Sequence, residues 1–508
     1  WTAAKDAPAL ADIAHTLARH RRGPVCAVVV ARTHQEATDR LAALARDEEV
    51  PGVVAPSSDN PVARASGTRH PVFVFSGYGS QWQGMGQHLL LQDPLFAAAV
   101  DELDPVYTVH AGISLRDMLA RTGRGTGVDH TQPLLFGVQL ALARTLRAYG
   151  VQPAAVIGHS MGEVSAAVVA GALEDSEGLR IILHRSAELA AIDAERAGAM
   201  AAVELPETER TEVLARYPGV EVAVHSSPRR CTVAGPAGAV RRLVGELTGQ
   251  GTLARLLDVG GAGHSAAVDP VVPRLRELLA TLHPRIPEAD WYSTVLDDPR
   301  AGVHADAEYW CANVRRPVRL QQAVAAAAAD GHDLFLEISP HPIALVPLSE
   351  TLQATASTPE AAVIPTLRRS GDETVDLRAA LARLHLAGVP VDERKLWPDG
   401  RRTPLPTPAW RHERYWVSRR GPAAHAGHPL LGLRTDDPRT GAVLWQADLG
   451  TDRAQRPRRG PHGRPVLTLP ASAALMIAAA RDIHGHDDIG HLRIEDLTIH
   501  QWLPLAGR

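Results

Sequence analysis

Cysteine is scarce in this chain: Cys26, Cys231 and Cys311 lie far apart in 508 residues, with no C-x-x-C pair. That excludes a disulfide framework and the usual zinc spacings, and leaves buried thiols of a reducing, cytoplasmic setting as the reading. No apolar run approaches the roughly 18 residues that span a bilayer, so no membrane association is expected. Trp1 opens onto charged, helix-like sequence and not onto a signal peptide. With no initiator methionine, the sequence reads as an excised piece of a larger polypeptide. Positive charge is not in excess either. The net charge is −4 with no strongly basic domain, which argues against a nucleic-acid partner.

What is present supports a globular enzyme. An apolar content of 45% against 22% charged residues can bury a sizeable core, and the length fits about three domains. Residues 1–70 read as a small α/β unit of helix, strand and helix, closed by the connector "APSSDNPVARASG". Residues 71–198 and 260–355 alternate short apolar strands with amphipathic helices, the pattern of a mostly parallel sheet. Between them, 199–259 carries four strand-like runs around two helices in βαββαβ order, which predicts a ferredoxin-like insert. Residues 356–424, rich in Pro and Arg with few periodic segments, read as a wrapping linker. Residues 425–508 turn strand-rich, and the alanine run 325–329 reads as ordinary helix.

Chemistry is concentrated in "GHSMGE". Gly158-His159-Ser160-Met161-Gly162 fits G-x-S-x-G, in which a sharp strand-to-helix turn lifts a serine Oγ into a cleft. "AAVIG" before it reads as a buried strand and "MGEVSAAVVAGAL" after it as an apolar helix. The same residues also fit plain strand-to-helix packing. With 24 histidines in the chain, no single candidate base stands out by itself.

The ordered set "FVFSGYGSQWQGMG", "TQPLLFGVQLAL", "GHSMGE", "HRSAEL", "GGAGHS", "YWCANVRRPV" and "LEISPHP" closely resembles the acyltransferase domain of type I polyketide synthases, in the branch typified by mycocerosic acid synthase. The resemblance covers nearly the whole chain. It implies an α/β hydrolase-like core, with residues 1–70 as the linker after a ketosynthase. "LPTPAWRHERYW" resembles the linker behind such domains, and "HPLLG" the start of a hot-dog dehydratase.

By this resemblance Ser160 is the acylated nucleophile and His264 the general base and acid, oriented by a carbonyl oxygen from the position of Asn313. Arg185 holds the free carboxylate of a malonyl-type group. Chemistry agrees, because a second ionised carboxyl needs a fixed planar cation and guanidinium offers a bidentate fork. The oxyanion hole is expected from the main-chain N–H groups of Tyr78 and Met161, with Tyr78 standing where many relatives have glutamine. Gln132 helps shape the pocket floor. The implied reaction moves an acyl group from acyl-coenzyme A to Ser160, then to the phosphopantetheine thiol of an acyl carrier protein, with no metal and no bound cofactor.

Extender choice is expected at Gly261-Ala262-Gly263, just before the base. Without side chains at Gly261 and Gly263 there is room beside the α-carbon, and Met161 is a flexible neighbour that yields to a substituent. That points to an α-substituted malonyl group, methylmalonyl or larger, with broad specificity. The dehydratase motif His-x3-Gly-x4-Pro, anchored on Pro470, puts Pro465 in place of the glycine and Pro461 in place of the histidine, with His462 one residue away. Its partner acid is expected beyond Arg508, and the segment reads as an inactive fragment. Two rival readings remain. A serine hydrolase would place an Asp or Glu between serine and histidine and leave Arg185 unused. A docking scaffold would use neither.

Overall fold

In the computed structural model, residues 7–20, 26–55, 69–120, 127–194, 198–257, 262–355, 361–369, 371–397, 399–406, 431–447, 458–459, 465–485, 493–498 and 500–502 are described. The chain divides into two compact units, Trp1–Pro406 and Thr407–Arg508. Strands of the first unit, in chain order, are β1 (Val28–Val29), β2 (Val53–Val54), β3 (Val72–Phe75), β4 (Ala155–Gly158), β5 (Gly198–Val203), β6 (Glu221–His225), β7 (Cys231–Pro236), β8 (Ala254–Leu256), β9 (Asp290–Tyr292), β10 (Leu334–Ile338) and β11 (Ala362–Pro365).

Five of them form a parallel sheet in the order β11-β10-β3-β4-β9. Strand β3 shows why. Alternate residues of a strand point to opposite faces, and here Phe73 and Phe75 enter one apolar cluster while Val72 and Val74 enter another. Both faces are therefore covered, and the strand reads as an uninterrupted apolar run. Helix Val128–Ala148 packs into the first cluster and the alanine-rich helix Leu320–Ala329 into the second. This sheet sets the candidate site at the carboxyl ends of its strands, the usual place for a site in an open parallel sheet.

Between β4 and β9 the chain leaves the sheet to build a four-stranded antiparallel one, ordered β6-β7-β5-β8. Helices Glu207–Leu214 and Ala237–Gly249 accompany it, and Ala201, Val203, Val233, Val240 and Leu243 form a core of its own.

The reading of 356–424 as mere linker needs correction in its first part. Ala362–Pro365 is an edge strand of the main sheet, in register with Leu334–Glu337. Glu373–Leu386 is a 14-residue helix capped by Asp372, and it buries Leu377, Leu381 and Leu384 in the main core. Those three leucines sit at i, i+4 and i+7, a helical period hidden among the neighbouring Pro and Arg. The opposite side of the helix packs Ala379 and Ala382 on Val54, and Arg32 donates to both carboxylate oxygens of Asp372 at 2.6 and 2.8 Å. Residues "WRHERYW" lie outside the described residues.

The second unit holds a hairpin of β12 (Leu433–Asp436) and β13 (Val443–Gln446), and a short pair of β14 (Arg458–Arg459) and β15 (Pro465–Val466). Its strand-rich expectation fails at Leu469–His484, a 16-residue helix whose start is capped by the Thr468 hydroxyl. Pro470 sits in its first turn, where a missing N–H costs nothing. Pro461 and His462 lie outside the described residues.

Candidate active site

The sharp turn after β4 follows from two glycines. A Cβ on Gly158 would stand 2.1 Å from Glu163 Cα, and one on Gly162 would stand 2.2 Å from the Phe75 carbonyl oxygen. Only glycine lets β4 and helix Gly162–Val169 approach so closely. Between them Ser160 takes φ 55°, left-handed backbone that an ordinary residue seldom adopts. Strain at such a point accompanies function more often than packing.

A second strained residue meets it. His264 has φ 60° and is 6% exposed. The Ser160 hydroxyl lies 2.8 Å from His264 Nε2, and His264 Nδ1 lies 3.0 Å from the Arg316 main-chain carbonyl. A carbonyl only accepts, so Nδ1 carries the proton and Nε2 presents its lone pair to the serine. Burial, and then the charge of Arg185, push His264 down to about 3, so the imidazole stays neutral at working pH.

Arg185, on helix Asp175–Ala194, is 2% exposed, and its Nη2 donates to Ser160 Oγ at 3.3 Å. Its Nε and Nη1 are buried without a partner. Burial lowers its pKa to about 10, so it remains a cation near neutrality. A buried guanidinium with empty donors is costly by several kcal/mol unless an anion completes it.

These groups line a cavity of about 100 Å³ with Gly77, Tyr78, Val128, Gln132, His159, Leu189, Met200, Val224, Thr232, Leu257, Gly263 and Val314. Gln132 is 4% exposed and its Oε1 has no partner. A Cβ on Gly77 would come within 3.0 Å of the His159 carbonyl oxygen, so the Tyr78 loop abuts the elbow directly. Tyr78, His159, Thr232 and Leu257 also line a groove of about 820 Å³ that carries Arg230, Arg255 and Arg369.

Two other expected residues lie off the cavity, and Asn313 meets both members of the dyad. Ala262 packs against Gly198 in the interior and does not line the cavity, since its Cβ stands 2.6 Å from where Gly198 would carry one. The Met161 side chain is fully buried in the main core, so it is no adaptable wall, while its N–H stays at the helix start. The Asn313 side chain also reaches the other member of the dyad: its Nδ2 donates to the Ser160 carbonyl at 3.2 Å. The main-chain carbonyls of Arg316 and Asn313 are what act on His264. Gly261 lies outside the described residues. Sequence reasoning missed the far wall of Met200, Val224, Thr232 and Leu257, supplied by the inserted sheet and the residue after it. It also missed Glu163, buried beneath the elbow.

Fold and site together define an α/β protein built around a serine elbow. Residues 72–391 match the family described as the acyl transferase domain, and the chain belongs to it: an acyltransferase domain of a polyketide synthase, hence a transferase. It is 42% identical over 517 residues to a phenolphthiocerol/phthiocerol polyketide synthase of Mycobacterium tuberculosis, covering 100% of this chain but only 27% of that protein. The chain thus spans about a quarter of the length of such relatives. Among solved structures, the acyltransferase domain of the polyketide synthase PpsC of Mycobacterium tuberculosis is 39% identical, with a TM-score of 0.57 over 65% of this chain and 97% of that one. The acyltransferase domain from module 8 of the salinomycin polyketide synthase is 33% identical, with a TM-score of 0.70 over 78% and 92%.

Proposed function

We propose that the chain loads an α-substituted malonyl unit, methylmalonyl or a larger alkylmalonyl, from its coenzyme A thioester onto the phosphopantetheine thiol of an acyl carrier protein. The observation that carries the reading is Arg185. A buried cation with two unpartnered donors beside Ser160 Oγ fits an acyl group bearing a second carboxylate.

His264 takes the hydroxyl proton as Ser160 Oγ attacks the thioester carbonyl. The N–H groups of Tyr78 and Met161 receive the oxyanion, and the C–S bond breaks as the imidazolium protonates the departing thiolate. The carrier-protein thiol then repeats the sequence on the Ser160 ester, and the serine regains its proton. The dyad and main-chain donors supply every step without metal or bound cofactor. The groove with Arg230, Arg255 and Arg369 suits the phosphate-bearing arms of both thiols. An α-substituent fits beside Gly263, where an added Cβ would meet nothing within 4 Å. The main-chain carbonyl behind His264, in place of a carboxylate, counts against the hydrolase reading.

By the same reading 199–259 is a ferredoxin-like subdomain, supported by its strand order. Residues 1–70 link to a ketosynthase of the same synthase, and 425–508 is an inactive dehydratase-like fragment. A cytoplasmic setting follows from coenzyme A thioesters as donors. Among the described residues no helix is long and apolar enough to cross a membrane. Mass spectrometry of Ser160 after competition among malonyl-, methylmalonyl- and ethylmalonyl-coenzyme A tests the proposal. A malonyl adduct in excess of both others would overturn the α-substituted reading, and no adduct at all would overturn the function.

A further inference from the structure

Glu163 follows the elbow directly and is fully buried, yet the groups that bond its carboxyl are all neutral. Its Oε1 accepts from Tyr309 Oη at 2.6 Å, the Thr294 main-chain N–H at 3.1 Å and Trp291 Nε1 at 3.2 Å. Its Oε2 lies 2.8 Å from Thr294 Oγ1, which itself lies 2.7 Å from the Gly158 carbonyl oxygen. A threonine hydroxyl has one proton. Facing two acceptors, it can satisfy only one. If Glu163 is protonated at Oε2, it donates to Thr294 Oγ1, the threonine donates to Gly158, and every group is satisfied.

Tyr309 leads to the other half of the site. It lies on helix Ala307–Arg315. From the end of that helix Asn313 holds the Ser160 carbonyl, the Val314 carbonyl accepts the His264 N–H at 3.0 Å, and the Arg316 carbonyl accepts from His264 Nδ1. One helix thus touches nucleophile and base, and its other end is tied to the residue beneath the elbow.

We propose that Glu163 is a positioning residue, held as a neutral acid, whose bonds to Thr294 and Tyr309 register the Ser160 elbow against the helix that orients His264. The inference rests on the Ser160–His264 dyad proposed above. Burial holds Glu163 up to about 7 even though the hydrogen bonds of Tyr309, Thr294 and Trp291 lower it, in agreement with the count of protons. Positioning matters because a misplacement near 1 Å costs about 10²-fold in rate.

Glutamine copies the neutral acid: its oxygen accepts from Tyr309 and its amide donates to Thr294. The test is the rate of Ser160 labelling by a neutral fluorophosphonate, beside kcat and KM for methylmalonyl-coenzyme A. Glu163→Ala is expected to slow labelling and kcat at least tenfold with KM changed less than twofold, and Glu163→Gln to stay within about threefold of the unmodified protein. The unmodified protein should slow as pH rises past about 7, and Glu163→Gln should not. Stability gives an independent sign. With the folded pKa above the unfolded 4.5, the contribution is full below pH 4.5 and lost by about pH 7, so the Tm of Glu163→Gln should gain on the unmodified protein between those values.

If Glu163→Ala fails to fold, Tyr309→Phe and Asn313→Ala replace it. Their losses in rate should be less than additive, since both act through one helix. Wild-type labelling in folded Glu163→Ala, a Glu163→Gln as slow as Glu163→Ala, or strict additivity of the helix pair would each overturn the proposal. Labelling that His264→Ala leaves unchanged would instead overturn the dyad itself.

Discussion

Among the described residues, the main core and the inserted antiparallel sheet with its helices each bury one arginine, and they treat it in opposite ways. In the insert, Arg210 is 4% exposed and its donors are met: Nε reaches the Leu205 carbonyl, Nη2 the Ser227 and Arg230 carbonyls, and Nη1 lies 3.2 Å from His225 Nδ1. In the core, Arg185 is equally buried, touches one serine hydroxyl and leaves Nε and Nη1 empty. Arg210 is saturated by the chain around it. An arginine left unsaturated in a cavity is a receptor for something the chain does not supply.

The largest effect should come from the groups the core arginine serves. Ser160→Ala is expected to abolish self-acylation with the fold intact. His264→Ala is expected to lower it by about 10²–10⁴-fold, and adding Ser160→Ala should cost little more, because the pair acts as a unit. Retention of more than about a tenth of the acylation rate by either variant would show the dyad to be wrong, whatever Arg185 binds.

Next come the two arginines themselves. Arg185→Ala should turn acyl preference from carboxylated toward neutral groups such as acetyl, since a malonyl carboxylate would lose a buried partner worth about 3–5 kcal/mol. That is of the order of 10²–10⁴-fold in the ratio of rates. Arg210→Ala should cost stability, because it takes the donor from the Leu205 carbonyl and His225 Nδ1 and one of two donors from the Ser227 and Arg230 carbonyls, and should leave acyl preference unchanged in whatever protein still folds. Equal loss of both donor classes in Arg185→Ala would make the core arginine structural too and erase the contrast.

How much of this was legible in the sequence depends on whether a constraint leaves a mark on residue type. Gly158 and Gly162 are marked because nothing larger fits, and Arg185 because only guanidinium offers a fork. The main-chain carbonyl of Arg316 that orients His264 is invisible, since every residue has one. Thr294 and Tyr309 are ordinary residues until folding brings them to Glu163, 131 and 146 positions away. Composition misled where it averaged over short elements. Pro and Arg around 356–424 hid a four-residue edge strand and a leucine-faced helix, and at Leu469–His484 a capped helix lay within a segment read as strands.

A smaller effect is expected at the wall shared by core and insert. Gly263 lines the cavity and, unlike Gly158 and Gly162, has open space where a Cβ would stand. Gly263→Phe should therefore fold and place its ring beside the acyl α-carbon. Overall rate should fall, but the malonyl-to-methylmalonyl ratio should rise by roughly tenfold, the discrimination one methyl permits. A constant ratio would move the selection to the far wall of Met200, Val224, Thr232 and Leu257.

The smallest effect is an absence of change with pH, and it returns to the core arginine. An imidazole near 6.5 would lose about fifteen-fold of its neutral form between pH 6.5 and 5. His264, pushed to about 3 by burial and by Arg185, should lose almost none, because it acts as a base when neutral and is neutral above that value. Acylation should vary less than about twofold over that window, measured as kcat/KM in single-turnover experiments. Removing the nearby charge with Arg185→Gln should raise the base toward its ordinary value and carry the acid limb upward, seen with acetyl-coenzyme A as donor. Substitution of Arg210, in the other region, should leave the limb where it is. A wild-type limb near pH 6.5 would mean that water reaches His264 and that neither burial nor Arg185 governs it.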